Sequence, residues 1–288
     1  MSHNLKKIYS YSFLLPAGII YGLIFVIPTL ISFFFSLTRW TLMDWKFIGF
    51  ENFVTFFYDS SLGTGLKNTL IYAGLTCGLK VVIALLIAVY LCRELKTKNF
   101  LRTIIFFPSL ISTIAVGLAF SSMMHPATGL INRALSLLGI TGPSWLADPG
   151  LALFSVILVD VWKGIGVSMV IYIAGIMSIP LQYYEALKCD GGNAWQKFIH
   201  ITLPLVRPAM NSIIILSLVS GLRSFDLVWA MTNGGPGFAS DVLASVIYKQ
   251  YVSGFYGLST AGNVVLFIVV SLIAFPLYKF LNREKVEY

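Results

Sequence analysis

The chain of 288 residues is 57% hydrophobic and only 11% charged, whereas about 25% of the residues of an ordinary soluble domain are charged. A mean hydropathy of +0.84 excludes a water-soluble globular protein, and three cysteines are too few for a disulfide scaffold. The formal net charge of +8 would suggest a nucleic-acid partner in a soluble protein, but in a membrane protein cytoplasmic lysine and arginine account for it. We therefore predict a polytopic membrane protein in contact with lipid and with no nucleic-acid partner.

Six long apolar runs predict six transmembrane helices. They cover about residues 12–37, 68–92, 103–124, 151–179, 209–231 and 258–280. Backbone polar groups in lipid must be paired, and runs of this length can pair them only as helices, since barrel strands would be shorter and alternating. The predicted fold is all-α, and residues 1–288 form a single transmembrane domain.

The basic residues predict which side each loop faces. With a cytoplasmic N-terminus, twelve of the 20 lysines and arginines fall in inner segments and four fall in outer loops. The four outer residues are Arg39, Lys46, Arg133 and Lys249. Because cytoplasmic loops carry an excess of Lys and Arg, we expect both termini in the cytoplasm and a multi-pass membrane protein.

The connection between the fourth and fifth predicted spans, residues 182–204, has the pattern of two short amphipathic helices. Gly191 and Gly192 allow the sharp bend between them, Asn193 can cap the second helix, and Pro204 is predicted to end it. The apolar face of the second helix consists of Trp195, Phe198 and Ile199. Helices this short are not stable alone, so the hairpin must lie on its own helix bundle or in a groove of a partner.

The same stretch resembles the signature Glu-Ala-Ala-x3-Gly-x9-Ile-x-Leu-Pro of permease subunits of bacterial ABC importers. The matching positions are Glu185, Ala186, Gly191, Ile201, Leu203 and Pro204. Leu187 departs from the pattern, because the family usually has a small alanine there. Thr232-Asn233-Gly234-Gly235-Pro236 is similar to a motif of the carbohydrate-uptake, maltose-type branch.

This resemblance implies a permease subunit of an ATP-driven sugar importer, with an oligosaccharide as the expected cargo, that works by alternating access. The hairpin would be a coupling helix that docks on a cytoplasmic ATPase through the matching residues and Asp190. The implied partners are a second permease subunit, two ATPase subunits and an extracytoplasmic sugar-binding protein, and a homodimer of this chain stays open. The sequence has no Gly-x4-Gly-Lys-Ser/Thr phosphate loop, so ATP and Mg²⁺ are expected on the ATPase. We expect no catalytic residue, metal or cofactor in this chain.

Charged residues inside the predicted spans need an explanation, because each costs a few kcal/mol in lipid. Asp160 and Lys163 are three residues apart, as are Arg223 and Asp226, so each pair could neutralise itself on one helix face. Alternatively, these side chains line a polar cavity. Resemblance to maltose-type permeases implies a sugar site formed by Thr113, Asp160, Trp162, Lys163, Gly164, Gly221 and Ser224. Asp160, Gly221 and Ser224 stand where the maltose pattern has asparagines. We therefore do not expect this chain to bind maltose in the pose that the maltose-type permeases use.

An alternative function is a self-contained secondary transporter or channel that uses the two charge pairs as an ion relay. It would need no ATPase, and the bent hairpin would then have no purpose. A membrane enzyme is disfavoured, because His3, His125 and His200 are scattered and no catalytic or metal-binding spacing is present.

Overall fold

A computed structural model describes residues 11–41, 43–58 and 60–282, without the side chains of residues 11, 12 and 60. Most of this chain is helical. The described residues form two compact units, the first made of 11–58 with 247–265 and the second of 60–246 with 266–282. The two ends of the chain, predicted to be cytoplasmic, lie outside the described residues.

The first unit starts with an apolar helical run that buries none of its side chains. It consists of α1 (Leu15–Tyr21), a π-helical turn (Gly22–Val26) and α2 (Ile27–Phe35). The run Leu15–Phe35 has 21 residues and a mean hydropathy of 2.2, which is enough to cross a membrane. A helix that is apolar all round needs an apolar surrounding, as the predicted first span requires.

Two short antiparallel strands and a helix follow in the first unit. Strand β1 (Thr38–Trp40) pairs with β2 (Trp45–Phe47), so that Thr38 faces Phe47. Helix α3 (Glu51–Tyr58) is held to the strands by the buried Asn52. Its side-chain amide donates hydrogen bonds to the carbonyl oxygens of Ser36 and Thr38, at 2.9 and 2.8 Å.

The second unit holds most of the helices. In chain order they are α4 (Ser60–Leu91), α5 (Lys98–Phe106), α6 (Thr113–Met123), α7 (Leu130–Leu137), α8 (Ala152–Met177), α9 (Leu181–Cys189), α10 (Ala194–Lys197), α11 (Leu203–Leu205), α12 (Arg207–Leu222) and α13 (Asp226–Thr232). Helices α14 (Leu243–Val252) and α15 (Tyr256–Leu281) complete the described chain.

Helix α4 packs along both α8 and α12, and small residues allow the close approach. A Cβ on Gly221 of α12 would lie 2.7 Å from Cα of Ala73 in α4. Likewise, a Cβ on Gly166 of α8 would lie 2.6 Å from the carbonyl oxygen of Ile105 in α5. Small residues at helix crossings are typical of transmembrane bundles, because close packing replaces the hydrophobic driving force in lipid.

The third and fifth predicted spans are not continuous helices, contrary to the prediction from hydropathy. After α5, a 3-10 turn (Phe107–Leu110) that includes Pro108 leads to α6, and the two helical segments are bent by 97°. Within 209–231, α12 ends at Leu222 and α13 begins at Asp226. Hydropathy registers the apolar character of these stretches but not the local backbone break.

Four described helices are long and apolar enough to cross a membrane alone: Leu15–Phe35, Ser61–Leu91, Ala152–Met177 and Tyr256–Leu281. Two bent pairs meet the same test when each is taken as one span, and counting them gives up to six crossings in the described chain. The bent pairs are Lys98–Leu110 with Thr113–Met123, and Ala194–Leu205 with Arg207–Leu222.

Candidate functional site

A polar cavity of about 280 Å³ lies in the second unit. Helix α4 contributes Lys80, helix α8 contributes Asp160, Lys163, Gly164 and Val167, and the remaining lining comes from the third and fifth predicted spans, which are both broken. Ser109 and Thr113 flank the break between α5 and α6, whereas Arg223 and Ser224 lie in the break between α12 and α13. Non-helical backbone inside a membrane is tolerated where it is buried in protein or lines a water-filled cavity. Both breaks line this cavity, which explains why two spans of a membrane protein can be interrupted here.

Lys80 and Asp160 form an ion pair between α4 and α8. The Lys80 Nζ atom is 2.7 Å from Asp160 Oδ2, and the side chains are 7% and 23% exposed. Gly164 makes room for the lysine, because a Cβ there would lie 2.5 Å from Lys80 Cε. A buried charge is tolerated when a partner compensates it, so this pair explains how α4 can carry a lysine in an apolar span.

Of the two alternatives for the charged residues, the structure does not bear out the one in which Asp160 pairs with Lys163 and Arg223 with Asp226, and all four line the cavity. The structure describes all four side chains and records neither ion pair. Asp160 is instead paired across the helix interface, since Lys80 reaches it over Gly164. The break after Leu222 takes Arg223 out of the helix that would have placed it one turn from Asp226.

Five of the seven predicted sugar-binding residues line this cavity: Thr113, Asp160, Lys163, Gly164 and Ser224. Trp162 and Gly221 do not line it. Trp162 is 44% exposed and contacts Phe120, with ring centroids 5.1 Å apart, whereas Gly221 is buried where α12 touches α4.

The sequence left open whether Lys80 extends to the membrane surface or pairs across helices and gave it no role, and sequence reasoning missed the aromatic pair beside the cavity. The rings of Phe225 and Trp229 stack with centroids 5.6 Å apart, next to a second cavity of about 280 Å³ that shares Phe225 and Asp226 with the first. The sequence did indicate a partner for Lys80. A lysine inside a span needs an acidic partner on another helix when its own helix has no acidic residue.

The predicted hairpin is present as α9, a turn and a second helical arm, in which α10 continues through a π-helical stretch (Phe198–Thr202) into α11. Gly191 has φ of +73°, which a residue with a Cβ adopts only with strain. Asn193 caps α10 by a capping box: its side chain accepts from the backbone N–H of Gln196, and the Gln196 side chain accepts from the backbone N–H of Asn193. The helical run Ala194–Leu205 ends one residue after Pro204, close to the predicted end, and the chain bends by 65° between Leu205 and Arg207.

The hairpin presents one face to its own chain. Phe198 and Leu203 pack on the buried cluster formed by α4, α8 and α12, and Ile201 is buried. The Tyr184 hydroxyl is 3.2 Å from Thr202 Oγ1, and the Lys197 ammonium lies 4.4 Å from the centre of the Tyr184 ring. Burial raises the pKa of the Tyr184 phenol above its usual value. The hairpin is therefore anchored to the helices rather than free.

The other face of the hairpin is exposed. Glu185, Ala186 and Asp190 are all accessible. Trp195 is 70% exposed and Leu181 is 67% exposed. Large apolar side chains beside charged ones, on an element anchored from behind, are typical of a docking surface.

The profile of the family described as "Binding-protein-dependent transport system inner membrane component" matches residues 80–286. The chain belongs to this family. It is 33% identical over 99% of its length to the probable ABC transporter permease protein YurN of Bacillus subtilis, of which it covers 99%. It is 29% identical to the trehalose/maltose transport system permease protein MalF of Thermococcus litoralis, with 90% of this chain and 89% of that one aligned.

Solved structures show the same similarity. A chain of a bacterial ABC transporter involved in the import of the acidic polysaccharide alginate matches with a TM-score of 0.82 and 27% identity, over 95% of this chain and 94% of that chain. The same kind of transporter, in complex with an alginate pentasaccharide-bound periplasmic protein, matches with a TM-score of 0.81 and 27% identity, over 95% and 93%.

This chain is therefore a multi-pass inner-membrane permease subunit of an ABC importer. A separate ATPase hydrolyses the ATP, and the importer also works with a binding protein outside the membrane. The family assignment excludes the alternative of a self-contained secondary transporter. It also gives the hairpin and the cavity a common context, since an importer must both engage its ATPase and hold its cargo.

Proposed function

We propose that this permease imports a sugar, and that the sugar passes through the cavity between α4, α8 and the two broken spans. The observation that carries the proposal is that the break between α5 and α6 and the break between α12 and α13 meet at one cavity, which also holds five of the seven residues expected to contact the cargo. Hydroxyl groups of Ser109, Thr113 and Ser224 and the charged groups beside them supply donors and acceptors for sugar hydroxyls. The names of the relatives, which refer to trehalose, maltose and alginate, support a sugar as cargo.

The stacked rings of Phe225 and Trp229 take the role that the sequence assigned to Trp162. Sugar rings have apolar faces that pack on aromatic side chains, and Phe225 lines the cavity directly whereas Trp162 does not. Two adjoining cavities that share Phe225 and Asp226 offer more room than a single monosaccharide needs. An oligosaccharide is therefore the proposed cargo.

The hairpin of α9 and α10 is the proposed coupling element. Its exposed face, with Leu181, Glu185 and Trp195, would dock on the ATPase, while Phe198 and Leu203 hold it to the helices that line the cavity. Closure of two ATPase subunits around ATP and Mg²⁺ would then move the hairpin and switch the cavity between the two sides of the membrane. The proposed assembly also contains a second permease, either a different chain or a second copy of this one, and six spans per permease with both ends in the cytoplasm.

Reconstitution tests both parts of this function. The complete importer, in vesicles loaded with ATP and supplied with its binding protein, should accumulate a sugar. Glu185→Arg and, separately, Gly191→Pro should abolish uptake, because the first reverses a charge on the exposed face and the second forbids the positive φ of the bend. Glu94→Arg, the same charge change in an exposed inner loop next to α4, is the matched control and should retain uptake.

Sugar uptake that persists in an assembled Glu185→Arg or Gly191→Pro importer would overturn the coupling role of the hairpin. Accumulation of no sugar by the unmodified importer, from a broad mixture of oligosaccharides, would overturn the proposed cargo.

A further inference from the structure

The cavity contains more positive than negative charge. Lys80, Lys163 and Arg223 line it together with two carboxylates, those of Asp160 and Asp226. With all five groups ionised, three positive and two negative charges leave the cavity with a net charge of +1. Asp160 is already committed to Lys80 at 2.7 Å, so the excess lies with Lys163 and Arg223.

Neither of these two cations has a partner for its charged group in the described chain. Lys163 is half-buried on α8, next to Gly164, and Arg223 is exposed in the break before α13. Among the described residues no hydrogen bond or ion pair of either side chain is present. Asp226 lines the same cavity without pairing with Arg223. The donors of both cations are therefore available to whatever fills the cavity.

A neutral cargo would leave this charge uncompensated when the transporter closes and water leaves the cavity. While the cavity is open, water screens its charges, but water leaves when the transporter closes around its cargo. An unpaired charge in a desolvated, membrane-embedded site is costly. A cargo with one carboxylate would bring the sum to zero, and it would accept from the planar guanidinium of Arg223 and from the Lys163 ammonium.

We propose that the sugar imported by this permease is acidic, an oligosaccharide that contains a uronic acid, and that Lys163 and Arg223 select its carboxylate. The inference rests on the proposed function, because it names the class of sugar that the same cavity accepts. Lys80 has a different role. It fixes Asp160 and so keeps that carboxylate from repelling the cargo.

The first experiment compares sugars that differ only in charge. ATP-loaded vesicles with the complete importer and its binding protein receive a mixed hydrolysate of pectin, glucuronoxylan, starch and cellulose, and mass spectrometry identifies the sugars inside. Uronate-containing oligosaccharides should accumulate in the vesicles. When the carboxyl groups of the same oligosaccharides are chemically reduced before they are offered to the importer, they should no longer accumulate. Accumulation of neutral sugars alone would overturn this inference and leave the proposed function intact. Accumulation of no sugar would overturn both.

The second experiment tests the two cations. In vesicles offered an acidic oligosaccharide and its carboxyl-reduced form together, the ratio of the two uptake rates should fall by about tenfold or more in Lys163→Gln/Arg223→Gln, since the variant loses the charge-assisted hydrogen bonds to the carboxylate. The ratio compares two sugars in the same vesicles, so it does not depend on how much importer has assembled.

Lys279→Gln removes a positive charge outside the cavity and should keep the ratio of the unmodified importer. If the double variant does not assemble, Lys163→Gln and Arg223→Gln alone provide the same measurement. An unchanged ratio in assembled variants would overturn the inference, because Lys163 and Arg223 would then serve the permease partner rather than the cargo.

Discussion

The packed helices α4, α8 and α12 differ from the hairpin of α9 and α10 in how much of their side-chain surface this chain buries. Among the packed helices, Lys80 finds Asp160, and Met169 and Tyr172 are fully buried. In the hairpin, Trp195 and Leu181 remain largely exposed. The packed helices bury part of one another's surface within the chain, whereas the hairpin has one anchored face and one exposed face. Substitutions in the first region should therefore change the stability of the permease, and substitutions in the second should mainly change coupling.

The largest expected effect is that of Lys80→Met. The substitution leaves the Asp160 carboxylate without its partner, and breaking a buried ion pair costs about 3–5 kcal/mol. Asp160 is 23% exposed and faces the cavity, where water reaches it. We therefore expect a loss near the lower end, about 3 kcal/mol, measured as the free energy of unfolding in mixed micelles.

The control for this prediction is the double variant Lys80→Met/Asp160→Asn. It removes both charges, and most of the lost stability should return because no unpaired charge remains. An equal loss in the double variant would mean that the packing of the lysine chain, and not the ion pair, stabilises the interface of α4 and α8.

Gly166→Ala should cost about 2 kcal/mol of unfolding free energy, as overpacked sites typically do. The new methyl group would lie 2.6 Å from the Ile105 carbonyl oxygen and 2.7 Å from Phe106 Cα, and backbone atoms cannot move aside without displacing α5. Gly78→Ala on α4 is the matched control, since nothing lies within 4 Å of its Cβ position. It should be neutral or stabilising by up to about 1 kcal/mol. Equal costs for the two substitutions would show that α5 does not pack on α8 this closely.

Gly164→Ala should cost less, about 1 kcal/mol, because its methyl group meets a flexible side chain. The contact is with Lys80 Cε at 2.5 Å, and the lysine can shift at the expense of its ion pair with Asp160. A double-mutant cycle with Lys80→Ala checks the mechanism. In the Lys80→Ala background the obstructing side chain is gone, so Gly164→Ala should be nearly free of cost. Additive losses would contradict the proposed role of Gly164 in making room for the lysine.

The hairpin could be predicted from the sequence in detail because its structure depends on local preferences. The positive φ of Gly191 and the capping of α10 by Asn193 follow from the chemistry of those residues and their immediate neighbours, and both predictions are confirmed. Pro204 also lies where the sequence predicted it, in the last turn of the helical run Ala194–Leu205.

The cavity could be predicted only in part because it depends on which helices are neighbours. A pair of Asp160 with Lys163 on its own helix was one of two open alternatives, since the sequence did not reveal that α4 brings Lys80 alongside. The break at Arg223 to Phe225 interrupts a stretch apolar enough to be read as one helix. Phe225 therefore reaches the cavity that Trp162 was expected to line.

The smallest expected effect is that of Asn193→Ala in the hairpin. Loss of the cap should cost about 1 kcal/mol, but only for the local opening of α10. Hydrogen exchange of the backbone amides of Ala194–Lys197 should become about fivefold faster, while the global unfolding free energy stays the same. Gln196→Ala keeps the Asn193 side chain on the N–H of residue 196 and removes only the reciprocal bond, so its effect should be smaller.

If the exposed face of the hairpin docks on the ATPase, assembly of the importer should suppress the faster amide exchange of the Asn193→Ala variant. Exchange that is equally fast in the free permease and in the complete importer would mean that the ATPase contacts the permease at another surface.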